Sequence, residues 1–387
     1  MHTEPIYIVH SDSKIEALYT LFPLIVSRYV NLLRFVPINS RQAQKITGHS
    51  VVLVRAFKGN DAFAQDDEKK RAYVQDFRKR FDRVVMLDDG AGSDSLHYEY
   101  MDLVDIYFKG KLLRDRKAYL EPSYGRQPFT DYYHRQFGIT DEKEKWRNPP
   151  TDPALLSKLR LSWNLGYGVY PVPAKNLVRM ARLATRMGWV KILKPSFDRA
   201  YRSLLHSTAA PVAIANKQRV VQARFGYRSF PNTVGYQRRL MLEGTAGNKL
   251  LLAGKVPPDV YQQEIQQVGA VLSPFGWGEV CFRDFEAVAA GALLIKPDMS
   301  HLETWPDIYQ SGITYQPVDW DGEQLNDVVA HVTTNLEEYL PMIQAARQAY
   351  HQSLLQLEDR VVRFLEITTG MPIGGHVPVP AFTAAEV

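Results

Sequence analysis

Cysteine is almost absent. The one thiol, Cys281, rules out an intrachain disulfide and a cysteine-based metal cluster, in keeping with a reducing compartment. No apolar run approaches the length of a membrane span, and residues 1–14 (MHTEPIYIVHSDSK) lack the charged-then-apolar order of a secretory signal. The expected location is therefore cytoplasmic, or peripheral on the cytoplasmic face of a membrane. Neither a G-x-G-x-x-G dinucleotide fingerprint nor a D-x-D metal motif after a strand is present. Asp319-Trp320-Asp321 has the second set of letters, but it follows the last expected strand and is assigned to a turn. No metal and no cofactor are expected. Internal repeats and low-complexity runs are also missing, beyond a likeness between the two halves. Acid is scarce in one place: within 171–207 eight basic residues, from Lys175 to Arg202, face only Asp198. Interleaved with Leu177, Met180, Leu183, Met187 and Trp189, they form a basic amphipathic segment. It suits an anionic membrane surface or a solvated helix between domains. Nucleic acid is not expected, because no binding motif accompanies the charge.

What is present suits a folded chain of two α/β units. At 387 residues, with 45% hydrophobic and 11% aromatic content, it exceeds one simple core. The formal charge of +5 is mild and informative only where it clusters.

The first half opens with a strand-like run at 5–9 that stops at His10-Ser11-Asp12-Ser13, where Ser13 can cap a helix over 14–29. Apolar runs at 31–38, 50–55, 83–87, 104–109 and 159–163 are further strands, with a charged helix at 66–81. In open parallel sheets, ligands sit outside the carboxyl ends of the strands. The loops 10–13 and 88–94 are thus where chemistry is expected. His10 and Asp89 are the first candidates for a base, with Asp12, Asp88 and Asp94 on the acceptor side. Ordinary turn and cap chemistry explains the same residues equally well. The aromatic segment 119–133 (YLEPSYGRQPFTDYY) is expected to be a loop, either over an acceptor or simply packed.

The stretch that organises the second half is 271–303. It has the pattern of a strand, the tight turn Phe275-Gly276-Trp277-Gly278, a helix over 280–290 and a buried strand at 293–295. On that helix Phe282, Phe285 and Ala289 share one face, and Glu279, Arg283, Glu286 and Ala290 a second. The turn and helix N-terminus (Ser273, Gly276, Gly278) favour a phosphate, Arg283 adds a cation, and Glu286 can accept from a ribose diol. A surface ladder of ion pairs is the alternative. Cys281, beside this turn, is assigned to the core rather than to nucleophilic chemistry.

Arg283-Asp284-Phe285-Glu286-Ala287, followed by Ala289-Ala290-Gly291, resembles the R-x-F-E-A-x-A-x-G segment of GT-B glycosyltransferases, in the branch with spore-maturation-type and exostosin-like enzymes. The resemblance implies an α/β GT-B fold, two Rossmann-like domains facing each other across a cleft. It implies that Glu286 binds the donor ribose. It also implies that basic residues after the first two strands of this half contact the donor phosphates. Arg224 and Lys255 are nearest by position, with Arg228 and Arg238 in reserve. The retaining branch has two glutamates eight positions apart. Here Glu279 and Glu286 are seven apart and Gly278 stands at the eighth, so that mechanism is not implied.

The resulting expectation is an acceptor domain at 1–170, a basic connector at 171–215, a nucleotide-sugar domain at 216–335, a returning helix at 336–369 and a tail at 370–387. The expected function is transfer of a sugar from a nucleotide donor to a hydroxyl of a glycan or lipid-linked glycan in cell-surface polysaccharide synthesis. A non-catalytic membrane scaffold and a nucleotide-sugar epimerase are the alternatives.

Overall fold

The computed structural model describes residues 4–11, 17–55, 57, 66–125, 127–167 and 175–373, with side chains from 179 onward in the last segment. The chain lays down β1 (Ile6–His10), α1 (Ala17–Val26), β2 (Leu33–Pro37), β3 (Gly48–Val54), α2 (Asp67–Arg80), β4 (Phe81–Asp88) and β5 (Ile106–Lys109). It then leaves this sheet as β6 (Lys111–Leu113), forms a small antiparallel pair from β7 (Ser123–Tyr124) and β8 (Trp146–Arg147) around α3 (Pro128–Phe137), and returns as β9 (Leu159–Leu161). The sheet order is β2-β1-β3-β4-β5-β9, and every pairing is parallel. Strands covered on both faces must be apolar nearly throughout, which is why β3 and β4 are Val- and Leu-rich.

α2 begins where Asp66 accepts from the Lys69 N–H, and it ends on Arg78, Lys79 and Arg80, which complement the helix dipole. The expected helix over 14–29 stops earlier, at Val26. Ser27 then caps a 3-10 turn, Arg28–Leu32. The proposed cap Ser13 lies outside the described residues.

The segment 119–133 is not a loop. α3 takes up its second half, started by Pro128 and the Gln127–Thr130 capping box and ended by Gly138 in the left-handed conformation at φ 65°.

Two helices, α4 (Lys175–Met187) and α5 (Lys194–Ala209), lead to the second sheet. There β10 (Gln218–Ala223), α6 (Asn232–Glu243), β11 (Leu251–Ala253), α7 (Pro258–Gln267), β12 (Val268–Leu272), α8 (Phe282–Ala289), β13 (Leu293–Pro297), β14 (Leu302–Thr304), β15 (Gln316–Val318) and α9 (Leu325–Thr334) follow. Five of these strands form a parallel sheet in the order β11-β10-β12-β13-β15. The exception is β14. It pairs antiparallel with β6 of the first half, Leu302 opposite Leu113.

The chain closes with α10 (Leu340–Leu355) and α11 (Leu357–Thr369), broken at Gln356 rather than forming one helix over 338–367. The break lets α11 lie on the first sheet. Phe364 meets Phe108 at 4.5 Å, and Arg83 donates to the Thr368 carbonyl at 2.8 Å.

The fold is thus α/β with two Rossmann-like halves, the GT-B arrangement, and their strand ends are turned toward each other. One apolar core runs through both halves, from Ile6 and Val52 to Phe275 and Phe285. A second, built on Val221, Leu272 and Val329, fills the far face of the second sheet. Among the described residues no helix is long and apolar enough to cross a membrane.

Candidate functional site

Beneath the first turn of α8 lies a buried carboxylate with four donors. Asp284 accepts from the Ser273 hydroxyl at 2.5 Å, the Tyr309 hydroxyl at 2.7 Å and the Cys281 N–H at 2.9 Å, and it pairs with the Lys296 ammonium at 3.1 Å. Asp284, Ser273 and Lys296 are fully buried. A buried ion pair is tolerated only when its remaining hydrogen-bonding capacity is met, and here it is. Ser273 is therefore part of the floor that anchors α8. The C-x-x-D spacing of a cap was the visible signal for this hub; its other donors come from separate strands and loops.

Above that floor two guanidinium groups gather. Arg238, from α6, donates to the Gly226 carbonyl at 2.6 Å and to the Phe275 carbonyl at 2.7 Å, and stands 4.5 Å from the Phe230 ring centre. Arg283, from α8, lies over Phe225 at 5.6 Å and reaches the Arg224 carbonyl at 3.4 Å. Its Nε is buried without a partner. Neither arginine forms an ion pair among the described residues. Burial, and secondly the charge on Arg283, pull the Arg238 pKa down to about 10. A side chain on Gly276 would meet Arg238 Nη1 and Cys281 Sγ at 3.6 and 3.7 Å, so the glycine turn passes directly over Arg238. Cys281 is half-buried, and burial raises the pKa of its thiol.

One turn deeper, Glu286 accepts from the Tyr261 hydroxyl of α7 at 2.7 Å. Burial raises its pKa, while Tyr261 and Arg283 oppose the rise. The recess thus combines two uncompensated cations, a backbone turn and a carboxylate with a phenol beside it.

The remaining residues predicted for this half stand elsewhere. The Arg224 guanidinium is taken up by Glu264 of α7 at 2.5 and 2.9 Å. Lys255 is exposed in the loop after β11.

Gly278 and Glu279 belong to the contact between halves. A Cβ on Gly278 would stand 1.7 Å from the Ala91 carbonyl oxygen, so only glycine fits. The fully buried Glu279 accepts from the Ser93 hydroxyl at 2.5 Å and from its N–H at 3.2 Å. Nearby, both ring nitrogens of His301 are buried without a hydrogen-bond partner. Its ring is 5.1 Å from Trp320; burial lowers its pKa, with Glu279 and Asp298 opposing. Nothing in the spacing along the chain points to His301, Tyr261 or the Glu279–Ser93 bond, because each depends on elements brought together from far apart.

In the first half the candidate acids are engaged. Asp88 accepts from Lys109 and Tyr107, both at 2.8 Å, and from the Gly90 N–H at 2.7 Å. Asp89 pairs with Arg55 at 2.5 Å and accepts from the Thr20 hydroxyl. Asp94 pairs with Arg147 at 2.6 Å; burial, with Glu279 adding to it, pushes its pKa up to about 6 against the effect of Arg147. His10 is fully buried at the end of β1, its Nδ1 3.1 Å from the Ser11 carbonyl oxygen. Asp12 lies outside the described residues. The two sets of residues therefore meet through Ala91, Ser93, Gly278 and Glu279.

No family model matches the chain, and no curated protein matches it in sequence. Among solved structures it is similar to Anabaena Alr3699/HepE in complex with UDP, at 9% identity and a TM-score of 0.45 over 94% of this chain and 99% of that one. It is similar to an alpha-glucosyltransferase in complex with UDP, at 9% identity and a TM-score of 0.43 over 94% and 98%. A third is a putative UDP-N-acetylglucosamine 2-epimerase from Listeria monocytogenes, at 9% identity and a TM-score of 0.41 over 97% and 100%.

Proposed function

We propose that this chain is a GT-B glycosyltransferase, of the branch whose R-x-F-E-A segment it resembles. It would move a sugar from a nucleoside diphosphate donor to a hydroxyl of a glycan or lipid-linked glycan during cell-surface polysaccharide synthesis. The observation that carries the reading is the pair Arg238 and Arg283, close together and outside any ion pair among the described residues, with Arg238 under the Gly276 turn and Arg283 one helical turn from Glu286. Partly buried cations that form no ion pair favour a dianionic guest, and a diphosphate is the leaving group of such a transfer. In this role the two arginines hold the charge that develops as the glycosidic bond breaks, and no divalent metal is needed. Glu286, steadied by Tyr261, accepts from the ribose diol. Arg224, Lys255, Ser273 and Gly278 are the further donor-side candidates; as they stand, Arg224 is engaged by Glu264, Lys255 is exposed after β11, Ser273 supports α8 and Gly278 sets the contact between halves.

On the acceptor side Asp89 is proposed as the base of an inverting transfer, its carboxylate positioned by Arg55 and Thr20, with His10 as the alternative. Asp12, Asp88 and Asp94 are the further acceptor-side candidates, with Asp88 engaged by Lys109 and Tyr107 and Asp94 by Arg147.

The lipid-linked acceptor is supported by the connector. Met180, Leu183, Met187, Trp189 and Ile192 are each 49 to 58% exposed, among the exposed cations Arg179, Arg182 and Arg186. Such a patch suits the cytoplasmic face of an anionic membrane. Replacing the three arginines by Glu releases the protein from anionic vesicles. A wild-type protein that never binds those vesicles removes the membrane from the proposal.

Thermal-shift titration with UDP-, GDP-, dTDP- and CMP-sugars tests the donor site, since a ligand of the folded state raises the midpoint. One nucleotide family stabilises the wild type, and Glu286→Ala abolishes that shift without lowering the unliganded midpoint. No shift with any nucleotide in folded protein overturns the reading. Sugar conversion in the absence of any acceptor assigns the site to an epimerase instead.

A further inference from the structure

A recess of about 300 Å³ opens on the side of the molecule where β9, the last strand of the first sheet, meets α11 and the strand β14. This is at the lower end of the roughly 300–1,000 Å³ usual for ligand pockets. Four arginines line it: Arg114, Arg160, Arg360 and Arg363. None of them makes an ion pair among the described residues. Arg114 donates to the carbonyls of Ser300 and Leu302, Arg160 to those of Ser157 and Leu159, and Arg360 to those of Leu161 and Ser162. The charges of these three are therefore oriented by backbone oxygens, and no ion pair neutralises any of the four.

Arg360 also lies over the Trp305 ring at 5.1 Å. Burial and the charge of Arg363 lower its pKa, so those two cations are held close enough to repel. Of the two lining acids, Glu303 is held by Arg116, and Asp307 accepts from Thr304 and the Tyr309 N–H. Phe108, Trp163 and Phe364 give the recess an apolar floor.

We infer that this recess binds a phosphomonoester on a small body, at a site separate from the Arg238–Arg283 recess. With Glu303 already paired to Arg116, four guanidiniums against Asp307 leave three positive charges, of which a phosphomonoester carrying about −1.5 to −2 at pH 7 neutralises the larger part. Guanidinium forks match phosphate oxygens, and the aromatic floor takes the apolar face of the attached body. None of Arg238, Arg283 or Glu286 lines the recess. Its walls come from the first sheet, from β14 and from α11, so the guest ties the two halves together where they are joined.

The experiment is calorimetric titration of the full chain with a hexose phosphate, phenyl phosphate, inorganic phosphate and the neutral hexose, all at one ionic strength with sulfate as control. Binding of a phosphomonoester with a stoichiometry of one, absent for the neutral hexose, is expected. Arg160→Gln/Arg363→Gln, two exposed positions whose loss does not threaten folding, weakens it at least tenfold, and Arg238→Gln leaves it unchanged. Inorganic phosphate binding as tightly as both organic esters confines the recognition to the anion; weaker binding assigns part of it to the floor. Competition by UDP, an unchanged affinity in the double variant, or heats no larger than those of sulfate overturn the inference.

Discussion

Two guanidinium groups held close with no carboxylate between them raise the free energy of the empty protein, and an arriving anion relieves that repulsion. Arg238 and Arg283 are in this position, so removing one charge should have opposite effects on binding and on stability. A hydrogen bond to a charged group contributes about 1.5–3 kcal/mol. Arg283→Gln is accordingly expected to weaken nucleotide binding roughly ten- to a hundredfold by calorimetry while the unliganded melting midpoint stays level or rises. A lowered midpoint with unchanged affinity would falsify the assignment. Asp94 offers a test by pH. The folded state holds its proton up to about pH 6, whereas the ordinary aspartate value is 3.8. Its contribution therefore favours folding below that window and is lost as pH rises through it. Urea midpoints measured from pH 4 to 7 should show Asp94→Asn gaining on the wild type across this interval, and parallel profiles would exclude the effect.

At the scale of elements, α8 is held by a charge that never sees solvent. Asp284→Asn leaves the Lys296 ammonium without its counter-ion, and breaking a buried pair in this way costs about 3–5 kcal/mol. Denaturant unfolding is expected to register that loss, with a further loss of nucleotide binding because the Gly276 turn rests on the same floor. The strands of both sheets were legible in the chain, since parallel strands buried on both faces must be short, continuous apolar runs such as those in β3 and β12. α3 was not legible. Its aromatic, Pro- and Gly-bearing segment resembles a loop in composition, and only the Gln127–Thr130 box, Pro128 and Gly138 marked its ends. The candidate site divides in the same way. Arg283 and Glu286 lie within one helix and follow from its period, whereas Arg238, Tyr261 and His301 come from α6, α7 and the loop after β13, which no local pattern relates.

For the whole molecule the decisive contact is that of Gly278 with Ala91, because it sets how closely the two sheet edges approach. A methyl group there has no room beside the Ala91 carbonyl, whereas one on Gly226 meets nothing within 4 Å. Gly278→Ala is expected to increase the radius of gyration in solution scattering, and Gly226→Ala to leave it unchanged; equal values for both variants would show that the halves adjust without parting. The placement of α11 has a different consequence, in the order of synthesis. The first sheet is complete as a set of strands once Leu161 has been made, but Phe108 and Trp163 pack against Phe364 of the last helix. At roughly 5–20 residues per second, the 208 residues from Leu161 to Thr369 (369 − 161) take about 10 to 40 s to emerge. Throughout that interval the nascent chain carries Phe108 and Trp163 without their partner from the last helix, a transiently exposed apolar surface of the kind that promotes aggregation.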